Sequence, residues 1–217
     1  DTCGIQIKYA SYESNNWNGI FTSDSEYLSL INLARVKQID TLDQLDLNEH
    51  LSKIERDKLD AIDKEIISYK NIYGLIDFND MIQKFLDKGK TPEFDVIFVD
   101  EAQDLSLIQW SMIKKIEEDT KCDVWIAGDD DQAIFGWAGA DVDSFINWEA
   151  EEIPLKYSKR VPSSIQKIAL DVISRVQDNR LDKEYFPKED PGNIFQIYKL
   201  SDIDMSKDDW LILTRTK

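Results

Sequence analysis

The residues in this sequence best placed to do chemistry are two acids at the end of an apolar run. Phe94-Asp95-Val96-Ile97-Phe98-Val99 leads directly into Asp100-Glu101. Mg²⁺ takes oxygen ligands, often only one or two carboxylates, and fills its shell with water and phosphate oxygens. An Asp at a strand end can hold the metal or its water shell, and a neighbouring Glu can orient or deprotonate an attacking water. Two acids can equally do no more than end a strand. Here, however, the run continues as Ala102-Gln103-Asp104, and a second apolar run, residues 123–127, ends in Gly128-Asp129-Asp130-Asp131-Gln132. Two runs closing in acid-and-Gln clusters point to one site across neighbouring strand ends, because open α/β sheets bind ligands beyond the carboxyl ends of their strands.

A complete site for phosphoanhydride hydrolysis also needs a Gly-rich loop with a Lys to cradle the phosphates. Gly89-Lys90-Thr91 offers the last part of such a loop, but the earlier Gly falls at position 84, which is Lys84, and Pro92 follows where a helix should begin. It reads as a turn, so the sequence carries the metal-binding and water-activating half of the site without the phosphate-binding half. Downstream, Phe135 and Trp137 lie among Ala133, Gly136, Ala138, Gly139 and Ala140, small residues that leave room for a flat ligand. Stacking of nucleic-acid bases on such rings is sequence-tolerant and contributes about 1–3 kcal/mol per base; the competing reading is that both rings are core. His50, the only histidine, sits in a polar stretch and reads as a surface residue. Trp110 and Trp125 read as core.

The elements that must position these residues follow from periodicity. Residues 24–37 and 50–72 read as helices, the second with Leu51, Ile54, Leu59, Ile62, Ile66, Ile67 and Tyr69 at roughly helical spacing. Asp77 is an N-cap for a helix holding Phe78, Met81, Ile82, Phe85 and Leu86, which Gly89 ends. The run at 94–99 predicts a strand buried on both faces of a parallel sheet. A helix at about 107–117 and a strand at 123–127 complete a βαβ unit with an expected right-handed crossover. Beyond Asp141 come a short helix, a strand at 153–155, a helix over 163–176 opened by Pro162, and strands at 193–198 and 210–213. The first part is thus helical and the rest α/β.

Composition bounds the function. The 217 residues hold 42% hydrophobic residues and six Trp, enough for a real core. Net charge is −17, the opposite of the balance with which proteins grip duplex phosphates. Any nucleic-acid contact is therefore expected to work by stacking in a local groove, or with help from segments outside this sequence. Two distant cysteines, Cys3 and Cys122, make neither a disulfide framework nor a zinc pattern. No membrane span or signal peptide is legible, so a cytoplasmic location without membrane contact is expected. The sequence starts at Asp1 rather than Met, which suggests that it begins inside a longer product.

Two strings carry a resemblance: VDEAQD at 99–104 and GDDDQAIFGWAGAD at 128–141. Together they resemble the superfamily 1 DNA helicases of the UvrD/Rep type. LIDFNDMI at 75–82 is similar to the segment where that family returns from a helical insertion to its first RecA-like core. LKYSKRVP at 155–162 resembles its fourth motif, and LILTRT at 211–216 a strand of its second core. The resemblance implies a RecA-like parallel sheet of the P-loop NTPase type. It would have a helical insertion over 1–74, the second half of the first core over 75–150 and the start of the second core over 151–217. It also implies roles. Asp100, with Glu101, belongs to the metal site, and Glu101 activates water. Gln132 senses the γ-phosphate, Arg160 is an arginine finger, and Phe135 and Trp137 stack on single-stranded DNA. ATP and Mg²⁺ are the implied cofactors of the full-length protein, neither expected to bind these residues alone, and the remainder of the chain is an implied partner. Lys159 stands where the family usually has Tyr, Ala138 where Arg is common and Gly136 where a larger residue is frequent. The expectation is therefore a fragment of an ATP-dependent DNA helicase, inactive alone. The alternatives are a degenerate module that binds DNA or a partner, and part of a helicase-nuclease.

Overall fold

The computed structural model describes residues 26–48, 51, 53–176, 180–181, 183–199, 203–206, 211 and 213. The element order is α1 (Glu26–Val36), α2 (Thr41–Asp46), α3 (Arg56–Tyr73), α4 (Phe78–Lys88), β1 (Val96–Val99), α5 (Leu107–Thr120), β2 (Asp123–Ile126), α6 (Val142–Ile146), β3 (Tyr157–Pro162), α7 (Ser163–Ile173) and β4 (Phe186–Lys188). The described residues fall into two compact units, one made of those within 26–150 with 180–181, the other of those within 151–176 and 183–213.

In the first unit, α1, α2 and α3 pack around Leu30, Ile31, Leu45, Ile54, Leu59 and Ile62; of the stripe expected over 50–72, Leu59 and Ile62 are buried on α3, Ile54 is buried just ahead of it, and Ile67 and Tyr69 are exposed. Gly74 ends α3 in a left-handed conformation (φ 63°), its N–H bonding to the Lys70 carbonyl. Asp77 caps α4 reciprocally with Asp80: each carboxylate accepts from the other residue's backbone N–H at 2.9 Å. The same two acids receive Arg35 of α1, whose Nη1 lies 2.6 Å from Asp77, and Lys70 of α3, 2.9 Å from Asp80. One ionic cluster thus ties three helices. Burial acts to raise the Asp77 carboxyl, but hydrogen bonds from Arg35, Lys70 and the Asp80 N–H outweigh it and hold the group well below the usual carboxylate range.

Gly89 is the C-cap of α4, donating to the Phe85 carbonyl at 2.8 Å, and the Thr91 hydroxyl donates to Asp119 at 2.5 Å. The Gly89-Lys90-Thr91 segment is therefore a helix exit.

β1 and β2 pair in parallel from Val96↔Asp123 to Val99↔Ile126, joined through α5. Ile97, Val99, Val124 and Ile126 pack on Trp110, Ile113 and Ala102. The opposite face carries Phe98 and Trp125, 79% and 53% exposed. The expected strand buried on both faces is, among the described residues, covered on one face only. Trp125, expected in the core, stands on the open face, whereas Trp110 is buried and donates its indole N–H to the Asp141 carbonyl at 3.2 Å.

In the second unit, β3 and β4 pair in parallel, with Tyr157 and Phe186 stacked 5.0 Å apart. The Gln166 amide of α7 donates to the Tyr185 carbonyl at 2.9 Å. The strand expected at 153–155 forms instead at 157–162, since Ile153 and Leu155 are exposed and pair with nothing among the described residues. No strand forms over 193–198, where Phe195 and Tyr198 are exposed; the pairing falls to the short Phe186–Lys188. The strand expected at 210–213 lies largely outside the described residues. α7 stops at Ile173, three residues early, capped by Ser174. Among the described residues no helix is long and apolar enough to cross a membrane.

Candidate functional site

The site begins where β1 stops. Asp100 is exposed, and its Oδ1 accepts from the Glu101 N–H at 3.0 Å. Glu101 adopts a left-handed backbone (φ 51°, ψ 41°), which costs a non-glycine residue roughly 1–2 kcal/mol. This turn swings the chain off the strand into a short 3₁₀ turn, Ala102–Asp104. The Ala102 N–H donates to the Ala127 carbonyl at 3.0 Å, and the Ala127 N–H to the Val99 carbonyl at 2.8 Å. These bonds continue the ladder past the last paired residues and fix the two strand ends side by side.

Gln103 bridges them. It is 1% exposed. Its Nε2 donates to Glu101 Oε2 at 2.8 Å, and its Oε1 accepts from the Asp129 N–H at 3.0 Å. Gly128 makes room for this: a Cβ there would lie 2.7 Å from Gln103 Oε1 and 3.0 Å from the Phe145 ring. Asp129 in turn accepts from Gln132 Nε2 at 2.7 Å and from the Asp131 N–H at 3.2 Å, shaping the 3₁₀ turn Asp130–Gln132. A continuous hydrogen-bond chain therefore runs Glu101–Gln103–Asp129–Gln132. Burial, and then the charge of Glu101, push the neighbouring Asp104 carboxyl above its ordinary value.

Asp100, Glu101 and Gln132 thus come together at adjoining strand ends. The donor set suits Mg²⁺. One exposed carboxylate with an adjacent Glu fits an ion that keeps waters and phosphate oxygens. It does not fit a closed protein cage, and among the described residues no group of three or more His, Cys, Asp or Glu could hold a metal.

The loop after Gln132 carries the aromatics. Phe135 is half-buried and Trp137 63% exposed, their rings 6.4 Å apart and inclined at 53°. Gly139 anchors the loop base with φ 98°, and a Cβ there would strike Val36 Cγ2 of α1 at 2.4 Å. Ala140 bridges Ser106, and the Asp141 N–H donates to the Leu105 carbonyl at 2.8 Å. The loop is clamped at its base while the Trp137 face stays open. Arg160 stands on β3 of the second unit, its side chain exposed and, among the described residues, paired with no carboxylate.

Two features escape sequence reasoning. Gln103 was legible only as a member of an acid-and-Gln cluster; that its amide joins the strand ends depends on their lateral distance. Arg180 grips Asp131 through Nε and Nη2, at 2.6 and 3.1 Å, and the Leu181 N–H donates to Asp130 at 2.8 Å. Nothing in the spacing of residues 49 apart signals that contact.

Residues 6–152 match the family model described as the UvrD/REP helicase N-terminal domain. The chain is 31% identical to DNA helicase II of Haemophilus influenzae over 169 residues, 68% of this chain and 23% of that protein. It is 34% identical to DNA helicase II of Escherichia coli over 139 residues (58% and 19%), and 30% identical to the ATP-dependent DNA helicase PcrA of Bacillus subtilis over 140 residues (57% and 18%). It therefore spans about a fifth of the length of these relatives. The parallel βαβ unit, the acid-and-Gln strand ends and a family match covering most of the sequence lead to one conclusion: this chain belongs to the UvrD/REP helicase family.

Proposed function

We propose that this chain is the part of an ATP-dependent, single-stranded-DNA-translocating helicase that links phosphate chemistry to the DNA groove. In this reading residues 1–74 are a helical insertion, 75–150 the second half of a RecA-like core and 151–217 the start of the next. The observation that carries it is the hydrogen-bond chain Glu101–Gln103–Asp129–Gln132, whose last member stands three residues before Phe135, the first ring of the aromatic loop. Asp100 holds Mg²⁺, which neutralises phosphate charge when bound. Glu101 accepts a proton from the attacking water; the Gln103 amide on Oε2 aims the carboxylate. Gln132 meets the γ-phosphate, and any change in its position is passed to a loop that starts at the next residue. Arg160 supplies positive charge to the transferring phosphoryl group. Phe135 and Trp137 stack on bases.

The test is Glu101→Gln in the full-length protein. DNA-stimulated ATP hydrolysis should fall by about 10²–10⁴-fold with ATP binding retained, because only the proton acceptor is removed. Unchanged turnover in the variant would exclude Glu101 as the base, whereas no DNA-stimulated hydrolysis by the wild type would favour a degenerate DNA- or partner-binding module.

A further inference from the structure

The turn that carries Gln132 is electrostatically awkward. Asp129, Asp130 and Asp131 are consecutive carboxylates in a chain of net charge −17. Like charges this close repel, and Asp130 is only 9% exposed, so water screens it poorly. The turn nevertheless holds an ordered set of bonds around Asp129. The compensation comes from far along the chain. Arg180 presents a two-toothed fork, Nε to Asp131 Oδ1 at 2.6 Å and Nη2 to Asp131 Oδ2 at 3.1 Å. The pair is largely shielded, with the two side chains 20% and 13% exposed. The next residue adds a backbone donor, Leu181 N–H to Asp130 Oδ2 at 2.8 Å. Arg180 and Leu181 belong to the first unit, as Asp130 and Asp131 do.

We propose that Arg180 is a positioning residue for Gln132: with Leu181 it clamps the Asp130–Asp131 carboxylates and so fixes the turn from which Gln132 acts. The path is short. Arg180 orients Asp131, the Asp131 N–H bonds Asp129 Oδ1, and Asp129 Oδ2 receives the Gln132 amide. Arg suits the task better than Lys, because only the planar guanidinium engages both carboxylate oxygens at fixed geometry. The inference rests on the helicase reading for its effect on turnover, but the clamp itself can be measured without that reading.

The experiment compares wild type, Arg180→Ala, Arg180→Lys, Asp131→Ala and the Arg180→Ala/Asp131→Ala double variant in the full-length protein. Two readouts are taken: steady-state DNA-stimulated ATP hydrolysis, and amide hydrogen exchange at Asp131, Gln132 and Ala133. Arg180→Ala should lower kcat roughly tenfold or more, since small misplacements of a positioning group are costly, with a smaller change in KM for ATP. Exchange at the turn should accelerate while amides of α5 stay protected. Arg180→Lys should fall between, and the double variant should cost little more than either single one, as residues acting through one contact do. Unaltered exchange at the turn in Arg180→Ala overturns the clamp, whatever happens to turnover. Faster exchange with unaltered kcat overturns the positioning role. If wild type itself shows no DNA-stimulated hydrolysis, the helicase reading fails while the exchange data still decide the clamp. Should Arg180→Ala fail to fold, Arg180→Lys carries the same comparison, because it keeps the charge and loses only the fork.

Discussion

The stacking role proposed for Trp137 can be tested apart from the fold. It is 63% exposed, its loop held by Gly139 against α1 and by Ala140 against Ser106. Trp137→Ala should therefore leave the melting temperature nearly unchanged, in contrast to the buried Trp110. In the full-length protein, titration with a fluorescent single-stranded oligonucleotide should show a loss of about 1–3 kcal/mol of binding. Unchanged affinity would place the stacking surface elsewhere. Glu101 makes the complementary point. Its left-handed backbone is unfavourable for a side chain, yet it turns the chain so that Gln103 can reach the carboxylate.

At the scale of elements, the helical segment is attached by charge as well as by apolar packing. Asp77 caps α4 and accepts from α1 and α3 through Arg35 and Lys70. Asp77→Ala removes a cap, about 1 kcal/mol, and leaves two partly buried cations short of a partner. A total loss of about 2–3 kcal/mol at neutral pH is expected in denaturant unfolding. The sign of its pH dependence follows from the direction of the shift. The folded carboxyl titrates below its unfolded value, so its contribution is present above the unfolded range, near pH 4, and is lost as acid protonates the folded group. The gap between wild type and Asp77→Ala should close as pH falls below about 4. A gap that stays constant into acid would mean that the cluster contributes through packing alone.

At the scale of the whole molecule, the net charge of −17 limits how this chain would meet DNA under the proposed function. Few phosphates can be neutralised, so few counterions are released. Binding of single strands by these 217 residues should weaken only shallowly with salt, with a log–log slope smaller in magnitude than about 3. A steep slope would show that a basic surface, not stacking, carries the contact. The open sheet face bearing Phe98 and Trp125 belongs to the same scale. A short two-stranded parallel sheet is not stable by itself, and α5 with its buried Trp110 supplies the apolar cover on one side.

What the sequence determined is what local chemistry determines. The α4 cap at Asp77, the helix exit at Gly89, the two apolar runs and their acid-and-Gln ends were legible because each depends on neighbours a few residues away. The Asp100-Glu101 pair and the VDEAQD and GDDDQAIFGWAGAD strings were read the same way. Tertiary structure decided the rest. Trp110 and Trp125 are alike in sequence texture, but only the side of the sheet that α5 covers separates a buried ring from an exposed one. The strand at 157–162 rather than 153–155, and the short β4 in place of 193–198, were settled by which segments find a parallel partner. The joining of Glu101 to Gln132 through Gln103, and the grip of Arg180 on Asp131, required distances between strand ends and between residues far apart in the chain. Periodicity reports which face is apolar; it holds no information about what lies across the gap.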